Sequence, residues 1–109
     1  MNIIHFIKMT KLQKLKLSFN EEIGSEGFRC ILKSKWLKHL KYLDIGSIGI
    51  TDDVLIEYLS DVTIQKNLNK LDIFGNNLTS ASLGGILELA NLKKLCACNN
   101  VKDLVEANA

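Results

Sequence analysis

The sequence has no proline, and Arg29 is its only arginine. Without proline the chain must turn at glycine, asparagine and serine, which are the residues found between its apolar segments. Lys and Arg number 14 against 12 for Asp and Glu, so the net charge of +2 gives no support to nucleic-acid or membrane-surface binding. Phosphate recognition also favours the guanidinium fork, which is nearly absent here. We therefore expect neither a nucleic-acid nor a membrane partner.

Long hydrophobic runs and paired cysteines are missing as well. No run approaches the roughly 18 apolar residues that a membrane span requires. The apolar start at 3–7 is interrupted by His5 and ended by Lys8, so no secretory signal is predicted. The cysteine count of three is odd, which argues against a disulfide framework. We predict a folded protein with reduced thiols, located in the cytoplasm.

What the sequence does contain is a nine-residue pattern, L-x-x-L-x-L-x-x-N, that occurs four times. The four copies begin at Leu12, Leu40, Leu68 and Leu92, at intervals of 28, 28 and 24 residues. Positions 4 and 6 of the pattern alternate with their neighbours, so they face one side of a short strand. The asparagine at position 9 can bond backbone groups where the chain turns off that strand. The pattern predicts stacked coils with parallel strands and a continuous aliphatic core.

Apolar residues at intervals of three and four follow each of the first three patterns. This spacing predicts one buried helix face per unit. The residues are Phe28, Ile31 and Leu32, then Leu55, Ile56 and Leu59, then Leu83, Ile86 and Leu87. Thr51 and Asp52, and Thr79 and Ser80, are candidate helix N-caps. Each unit is thus predicted to be a strand followed by a helix.

These units resemble leucine-rich repeats, and the 28-residue period is closest to the ribonuclease-inhibitor-like subclass. The resemblance implies an α/β solenoid, a curved right-handed βα superhelix with a parallel sheet on the concave face and helices on the convex face. We predict a single domain over 1–109. Its parts are a helix half-repeat at 1–11, repeats at 12–39, 40–67 and 68–91, and a terminal partial repeat at 92–109. The ends show no recognisable cap, so self-association through them stays open.

Three departures from the repeat pattern carry expectations. Ile48 replaces the asparagine at position 9 of the second unit, so that coil is expected to lack its amide bonds. Ala97 replaces the aliphatic residue at position 6 of the fourth unit. The third unit is four residues shorter than the others, which requires a tighter helix or loop.

The resemblance also implies that the concave strand face is the binding surface. The pattern places nine candidate contact residues there: Lys14, Lys16, Phe19, Tyr42, Asp44, Lys70, Asp72, Phe74 and Lys94. Aromatic side chains surrounded by charges are typical of protein interfaces. The alternative is a solvated face on which Lys and Asp alternate across strands and pair with one another. We predict a binding surface for a protein partner.

The function indicated is a non-catalytic protein–protein interaction module. Alternatives are a substrate-recognition or regulatory part of a larger enzyme assembly, such as a ubiquitin-ligase receptor or a GTPase regulator, or a fragment of a longer repeat array. Asp44 and Asp72 fall on adjacent strands and could form an acid–base pair. Neighbouring lysines make neutralised surface acids the better interpretation. No catalytic residue and no cofactor is predicted.

The remaining chemistry-bearing residues have structural interpretations. Cys96 and Cys98 share one strand face, but a C-x-C pair without a second ligand pair predicts no metal site. Cys30 is expected to pack inward as a small hydrophobe. Trp36 is expected to pack between helices.

Overall fold

The computed structural model describes residues 12–100, and within them four short parallel strands form one sheet. The strands are β1 (Lys14–Lys16), β2 (Tyr42–Asp44), β3 (Lys70–Asp72) and β4 (Lys94–Cys96), each of three residues. They lie side by side in chain order. The predicted helix half-repeat at 1–11 and positions 101–109 of the predicted terminal partial repeat lie outside the described residues.

The strand register follows the repeat pattern. Position 4 of each unit pairs with position 4 of the next: Leu15 with Leu43, Leu43 with Leu71, and Leu71 with Leu95. The third interval of 24 residues therefore shortens the connection and leaves the register unchanged. The predicted α/β repeat fold is confirmed in this part of the chain.

Helical segments connect the strands. They are α1 (Gly24–Leu32), α2 (Asp52–Leu59), α3 (Val62–Asn67) and α4 (Leu83–Leu87), with 3₁₀ turns at Lys35–His39 and Ser80–Ser82. The third connection consists of a 3₁₀ turn and the five-residue α4, where the first and second connections begin with helices of nine and eight residues. The expected tightening of the short unit therefore lies in its helix.

The core lies between the sheet and the helices. Leu43, Ile45 and Ile73 are fully buried and Leu71 is 1% exposed, as positions 4 and 6 of the pattern predict. Helix residues of the same periodic set close the other side of this layer. Their members in the core are Phe28, Leu55, Leu59 and Ile86. Two predictions concerning helix residues are wrong: the Cys30 side chain is exposed, and Thr51 forms no capping hydrogen bond.

One aromatic contact in this layer leaves a polar atom buried. The Phe28 and Tyr58 rings meet edge to face, with centroids 5.8 Å apart. The Tyr58 hydroxyl is buried and has no hydrogen-bond partner among the described residues. Burial, with the Asp61 carboxylate nearby, raises the pKa of Tyr58, so the phenol stays neutral.

Asparagine at position 9 joins neighbouring coils. Asn76 Oδ1 accepts hydrogen bonds from the backbone N–H groups of Ile48, Gly49 and Ile50 at 3.1, 3.0 and 3.3 Å. Its Nδ2 donates to the carbonyls of Ile45 and Ile73 at 2.9 and 3.1 Å. Asn76 therefore satisfies the turn of the preceding coil as well as its own.

The expectation for Ile48 is wrong for this reason. The second coil does not lose amide bonds at its turn, because Asn76 of the third coil supplies them. The Ile48 side chain is fully buried and joins the core. What Ile48 removes is a side-chain amide that could bond the turn of the first coil.

A carboxylate links the second and third coils on the helix side. Asp52, the first residue of α2, accepts hydrogen bonds from the Thr79 N–H at 3.0 Å, the Thr79 hydroxyl at 2.6 Å and the Ser82 hydroxyl. Thr79 in turn accepts from the Ala81 N–H, which confirms it as an N-cap. The predicted cap residue Asp52 thus acts on the neighbouring coil.

This link predicts acid sensitivity. Partial burial opposes ionisation, but the hydrogen bonds from Ser82 and Thr79 outweigh it and lower the pKa of Asp52. A carboxylate whose folded-state pKa is lowered contributes stability above its unfolded value of about 4, and loses it as the pH falls through the folded value. Asp52→Asn should lower the melting temperature at neutral pH and weaken its dependence on pH below about 4.

The measurement is a series of thermal melts from neutral to acid pH for the natural protein and for Asp52→Asn. Glu88→Gln, at an exposed residue after α4, is the control and should behave like the natural protein. An identical acid decline in the natural protein and the Asp52 variant would contradict the assignment.

Candidate binding face

One side of the sheet carries the side chains at repeat positions 3 and 5, and we call it the polar sheet face. Alternate strand residues point to opposite sides, so these side chains lie away from the helices. Its members are Lys14, Lys16, Tyr42, Asp44, Lys70, Asp72, Lys94 and Cys96. The four lysines are exposed, whereas Asp44 is only 6% exposed. This burial is at odds with the prediction that Asp44 offers its carboxylate to a partner.

Three lysines of the polar sheet face gather around one aromatic ring. Tyr42 pairs in register with Lys14 on β1 and with Lys70 on β3. The Nζ atoms of Lys14, Lys16 and Lys70 lie 5.0, 5.6 and 5.9 Å from the centroid of the Tyr42 ring. These distances are within the range of cation–π attraction. Tyr42 therefore holds a cluster of positive charge at the centre of the face.

The carboxylates of the same face accept hydrogen bonds from backbone N–H groups. Asp44 Oδ1 accepts from the Gly46 N–H at 3.1 Å, and Asp72 Oδ1 accepts from the Phe74 N–H at 3.3 Å. Each therefore stabilises the turn that follows its own strand. Asp44 and Asp72 are in register on adjacent strands, as predicted.

The predicted alternative of Lys–Asp pairs across the strands is not found. Within residues 12–100 the ion pairs are Arg29–Asp53, Arg29–Glu57 and Lys38–Asp61, all on the helix side. The lysines of the polar sheet face thus lie without a carboxylate at ion-pair distance in this part of the chain. Burial, followed by the charges of Asp44 and Asp72, raises the pKa of Tyr42 and keeps its phenol neutral.

Two phenylalanines form an apolar cluster beyond the carboxyl ends of the strands. The Phe19 and Phe74 rings have centroids 5.2 Å apart and planes tilted by 58°. Phe19 is 74% exposed. Gly46, the residue at position 7 of the second unit, provides the space for Phe74, because a Cβ at Gly46 would collide with its ring. Sequence reasoning missed Gly46, although a glycine where the third unit has Phe74 was the available sign.

The backbone at position 8 explains how Phe19 is presented. All four units have a positive φ there: 66° at Phe19, 51° at Ser47, 68° at Gly75 and 59° at Asn99. This left-handed conformation costs an L-residue such as phenylalanine about 1–2 kcal/mol relative to glycine. Because the conformation recurs in every unit, it belongs to the repeat turn. What distinguishes Phe19 is a large apolar ring that is 74% exposed at this position and packs beside Phe74, which directs attention to binding.

A shallow depression of about 220 Å³ lies in the polar sheet face between β2 and β4. Its lining includes Tyr42, Lys70, Asp72, Lys94 and Cys96. It therefore combines an aromatic side chain with charges of both signs.

Cys96 and Cys98 lie at one end of the face, with their sulfur atoms 3.8 Å apart. The prediction that both thiols share one strand face agrees with this distance. Burial, then the hydrogen bond with Cys98 and the charge of Asp72, raises the pKa of Cys96, which favours the unreactive thiol. Residues 12–100 contain no group of three or more His, Cys, Asp or Glu side chains placed to hold a metal ion. The Trp36 side chain lies outside what the structure describes.

No helix in the described part of the chain is long and apolar enough to cross a membrane.

Comparison with protein families gives one match. A family model described as "Leucine Rich repeat" matches residues 8–32, a segment that contains β1 and α1. Comparison with curated proteins finds no match. Residues 8–32 are thus similar to a leucine-rich repeat.

Proposed function

We propose that this chain is a non-catalytic module that binds a protein partner through the polar sheet face and the adjoining Phe19–Phe74 cluster. Leucine-rich repeat domains generally mediate protein–protein interaction, which supports the class. The proposal includes a sheet curved with this face on its concave side, the ribonuclease-inhibitor-like subclass, and a cytoplasmic location. The contact residues are Lys14, Lys16, Phe19, Tyr42, Lys70, Asp72, Phe74 and Lys94. Asp44 has a supporting part, since its carboxylate accepts from the N–H of Gly46, the residue over which the Phe74 ring lies.

The observation that carries this proposal is the aromatic pair of an exposed Phe19 and a half-buried Phe74. Phe19 is 74% exposed in a left-handed conformation, and Phe74 rests where Gly46 leaves space for its ring. Exposing a large apolar ring in a costly backbone conformation is unfavourable in the free protein. Aromatic residues near the centre of a surface patch contribute most strongly to interfaces. Burial of the pair against a partner would recover part of this cost.

The arrangement favours binding over acid–base catalysis. Asp44 is buried and Asp72 is half-buried, and each accepts a backbone hydrogen bond. The polar sheet face and the adjoining Phe19–Phe74 cluster together offer four exposed lysines and three aromatic rings, which suit recognition of another macromolecule. Membership of a larger enzyme assembly, as a substrate receptor or regulator, remains the second candidate. It uses the same face and predicts that the captured partner is an enzyme or its substrate.

The double variant Tyr42→Ala/Phe74→Ala should retain the circular-dichroism spectrum and lose partner capture from the source cell. Both side chains lie on the sheet surface and neither belongs to the buried core. Loss of two aromatic contacts at an interface should weaken binding by about 2 kcal/mol or more, a factor of roughly thirty. Leu87→Ala is the control, because it truncates a large apolar side chain that is 74% exposed but lies at the end of α4, away from the polar sheet face. Unchanged capture by the double variant would reject the polar sheet face as the binding site. Capture that only Leu87→Ala abolishes would reject it as well.

A further inference from the structure

We propose that the partner presents an acidic, extended peptide segment whose carboxylates contact Lys14, Lys16 and Lys70 and whose neighbouring apolar side chain packs on Phe19 and Phe74. This inference rests on the proposed function and specifies the chemistry of the partner.

The first argument is the excess of positive charge around Tyr42, where three lysines gather and none forms an ion pair among the described residues. Three Nζ atoms lie within 5.9 Å of the Tyr42 centroid, so they necessarily lie within about 12 Å of one another, close to the Debye length. Like charges at this separation repel one another, and the attraction of the ring offsets only part of that repulsion. An anion bound among the three ammonium groups would stabilise the arrangement.

The second argument is that the protein's own carboxylates near the face are engaged elsewhere. Asp44 and Asp72 accept backbone hydrogen bonds at the strand ends. Glu21, in the first turn, accepts a hydrogen bond from the Ser47 hydroxyl at 3.1 Å. Among the described residues, no ion pair reaches the lysines of the polar sheet face. Within residues 12–100 the four lysines of the polar sheet face outnumber its two carboxylates and pair with neither, so an excess of positive charge is left for a partner.

The third argument is the relative position of the charged and apolar groups. Lys70, at repeat position 3, is four residues before Phe74 at position 7. A fully extended chain advances about 3.3 Å per residue, so this separation is at most about 13 Å. A partner strand running along the repeat strands would match it with acidic residues about four positions from an aromatic or aliphatic residue.

Charge chemistry favours a peptide over a nucleic acid. The chain has one arginine, Arg29, and it is on the helix side in ion pairs with Asp53 and Glu57. Asp72 lines the depression beside Lys70 and Lys94, where it would repel a continuous phosphate backbone. A peptide can place separate carboxylates at the lysines and an uncharged residue near Asp72.

The test uses fluorescence anisotropy with two labelled peptides of equal length. One has a cluster of glutamates followed about four residues later by phenylalanine, and the other has glutamine in place of each glutamate. The full chain should bind the glutamate peptide more tightly, and the preference should fall as salt rises. The triple variant Lys14→Gln/Lys16→Gln/Lys70→Gln should weaken that binding about ten-fold, since three exposed ion pairs contribute a few tenths of a kcal/mol or more each.

The control is Lys33→Gln/Lys35→Gln/Lys66→Gln, which removes the same charge from exposed lysines at the helical segments. Circular dichroism should show both triple variants folded. Equal affinity for the two peptides, equal affinity of the two triple variants, or tighter binding of a single-stranded oligonucleotide would overturn the inference. Partner capture that survives the Lys14/Lys16/Lys70 triple variant but is lost with Tyr42→Ala/Phe74→Ala overturns the acidic partner and leaves the proposed function standing. Capture that survives both rejects the two proposals together.

Discussion

Replacing Leu71 with aspartate should unfold the repeat array. Leu71 is 1% exposed and sits in register between Leu43 and Leu95, with the helices behind it. A carboxylate at this position would be buried without a partner and would displace a core aliphatic side chain. The expected loss is about 4 kcal/mol or more, which is comparable with the whole stability of a small domain.

Leu87→Asp is the matched control for this experiment. It makes the same chemical change at a leucine that is 74% exposed, so its effect on stability should stay within about 0.5 kcal/mol. Far-UV circular dichroism and urea unfolding of the three proteins give the comparison. A cooperative melt retained by the Leu71 variant would show that positions 4 and 6 do not face the core.

Asn76→Ala should strongly destabilise the fold, although it replaces a polar side chain. The amide accepts from three backbone N–H groups of the second coil and donates to the carbonyls of Ile45 and Ile73. Asn76 is itself 5% exposed, so water cannot easily replace these bonds. Because each buried group left unsatisfied costs about 1–3 kcal/mol, we expect a loss of about 3–5 kcal/mol in the free energy of unfolding.

Asn20→Ala provides the comparison at the equivalent position of the first coil. Asn20 is exposed, and its Nδ2 donates to the carbonyls of Leu17 and Ser18 at the end of its own strand. Its loss should cost about 1 kcal/mol, the net value of ordinary hydrogen bonds. Urea denaturation measures both variants. Equal costs at the two positions would show that the bonds from Asn76 to the second coil add nothing.

The strand register and the core were predictable because both follow from local periodicity. Leucines at positions 1 and 4, with an apolar residue at position 6, identify the buried side of each strand without knowledge of the neighbouring coil. Three- and four-residue spacing does the same for the helices, as with Phe28 and Leu55. The effect of the third unit being four residues shorter was likewise predictable. Because the strand register is fixed, the connection between the strands must be shorter.

Features that depend on contact between coils were not predictable in the same way. The burial of Asp44, the exposure of Cys30 and the bonds from Asn76 to the turn after Ile45 each depend on what the next coil places nearby. The sequence of a single repeat does not show which side chains the neighbouring coil places against it. The asparagine at position 9 is expected to bond backbone groups at the turn. That its hydrogen bonds reach the turn of the preceding coil could not be deduced.

The candidate site combines both kinds of feature. The lysines and Tyr42 on the polar sheet face follow from strand alternation. Their convergence on one ring depends on side-chain conformations across three strands, and so does the absence of Lys–Asp pairs there. Gly46 became meaningful only when Phe74 of the next coil was seen to occupy the space above it.

The hydrogen bonds of the asparagines at position 9 of the third and fourth units run toward the preceding coil. Asn76 completes the turn of the second coil, and Asn100 does the same for the third by accepting from the Leu78 N–H and donating to the Ile73 carbonyl. Each of these coils is therefore completed by its successor. Detachment of the third or fourth coil uncovers turn groups that an asparagine had bonded in the coil before it, whereas the turn of the first coil bonds the backbone carbonyl of Ile48, through the Gly24 N–H at 2.8 Å, and no side-chain amide of the second coil. We expect fraying to travel from β4 toward β1, with the polar sheet face losing Lys94 and the depression that it lines before it loses the Tyr42 cluster.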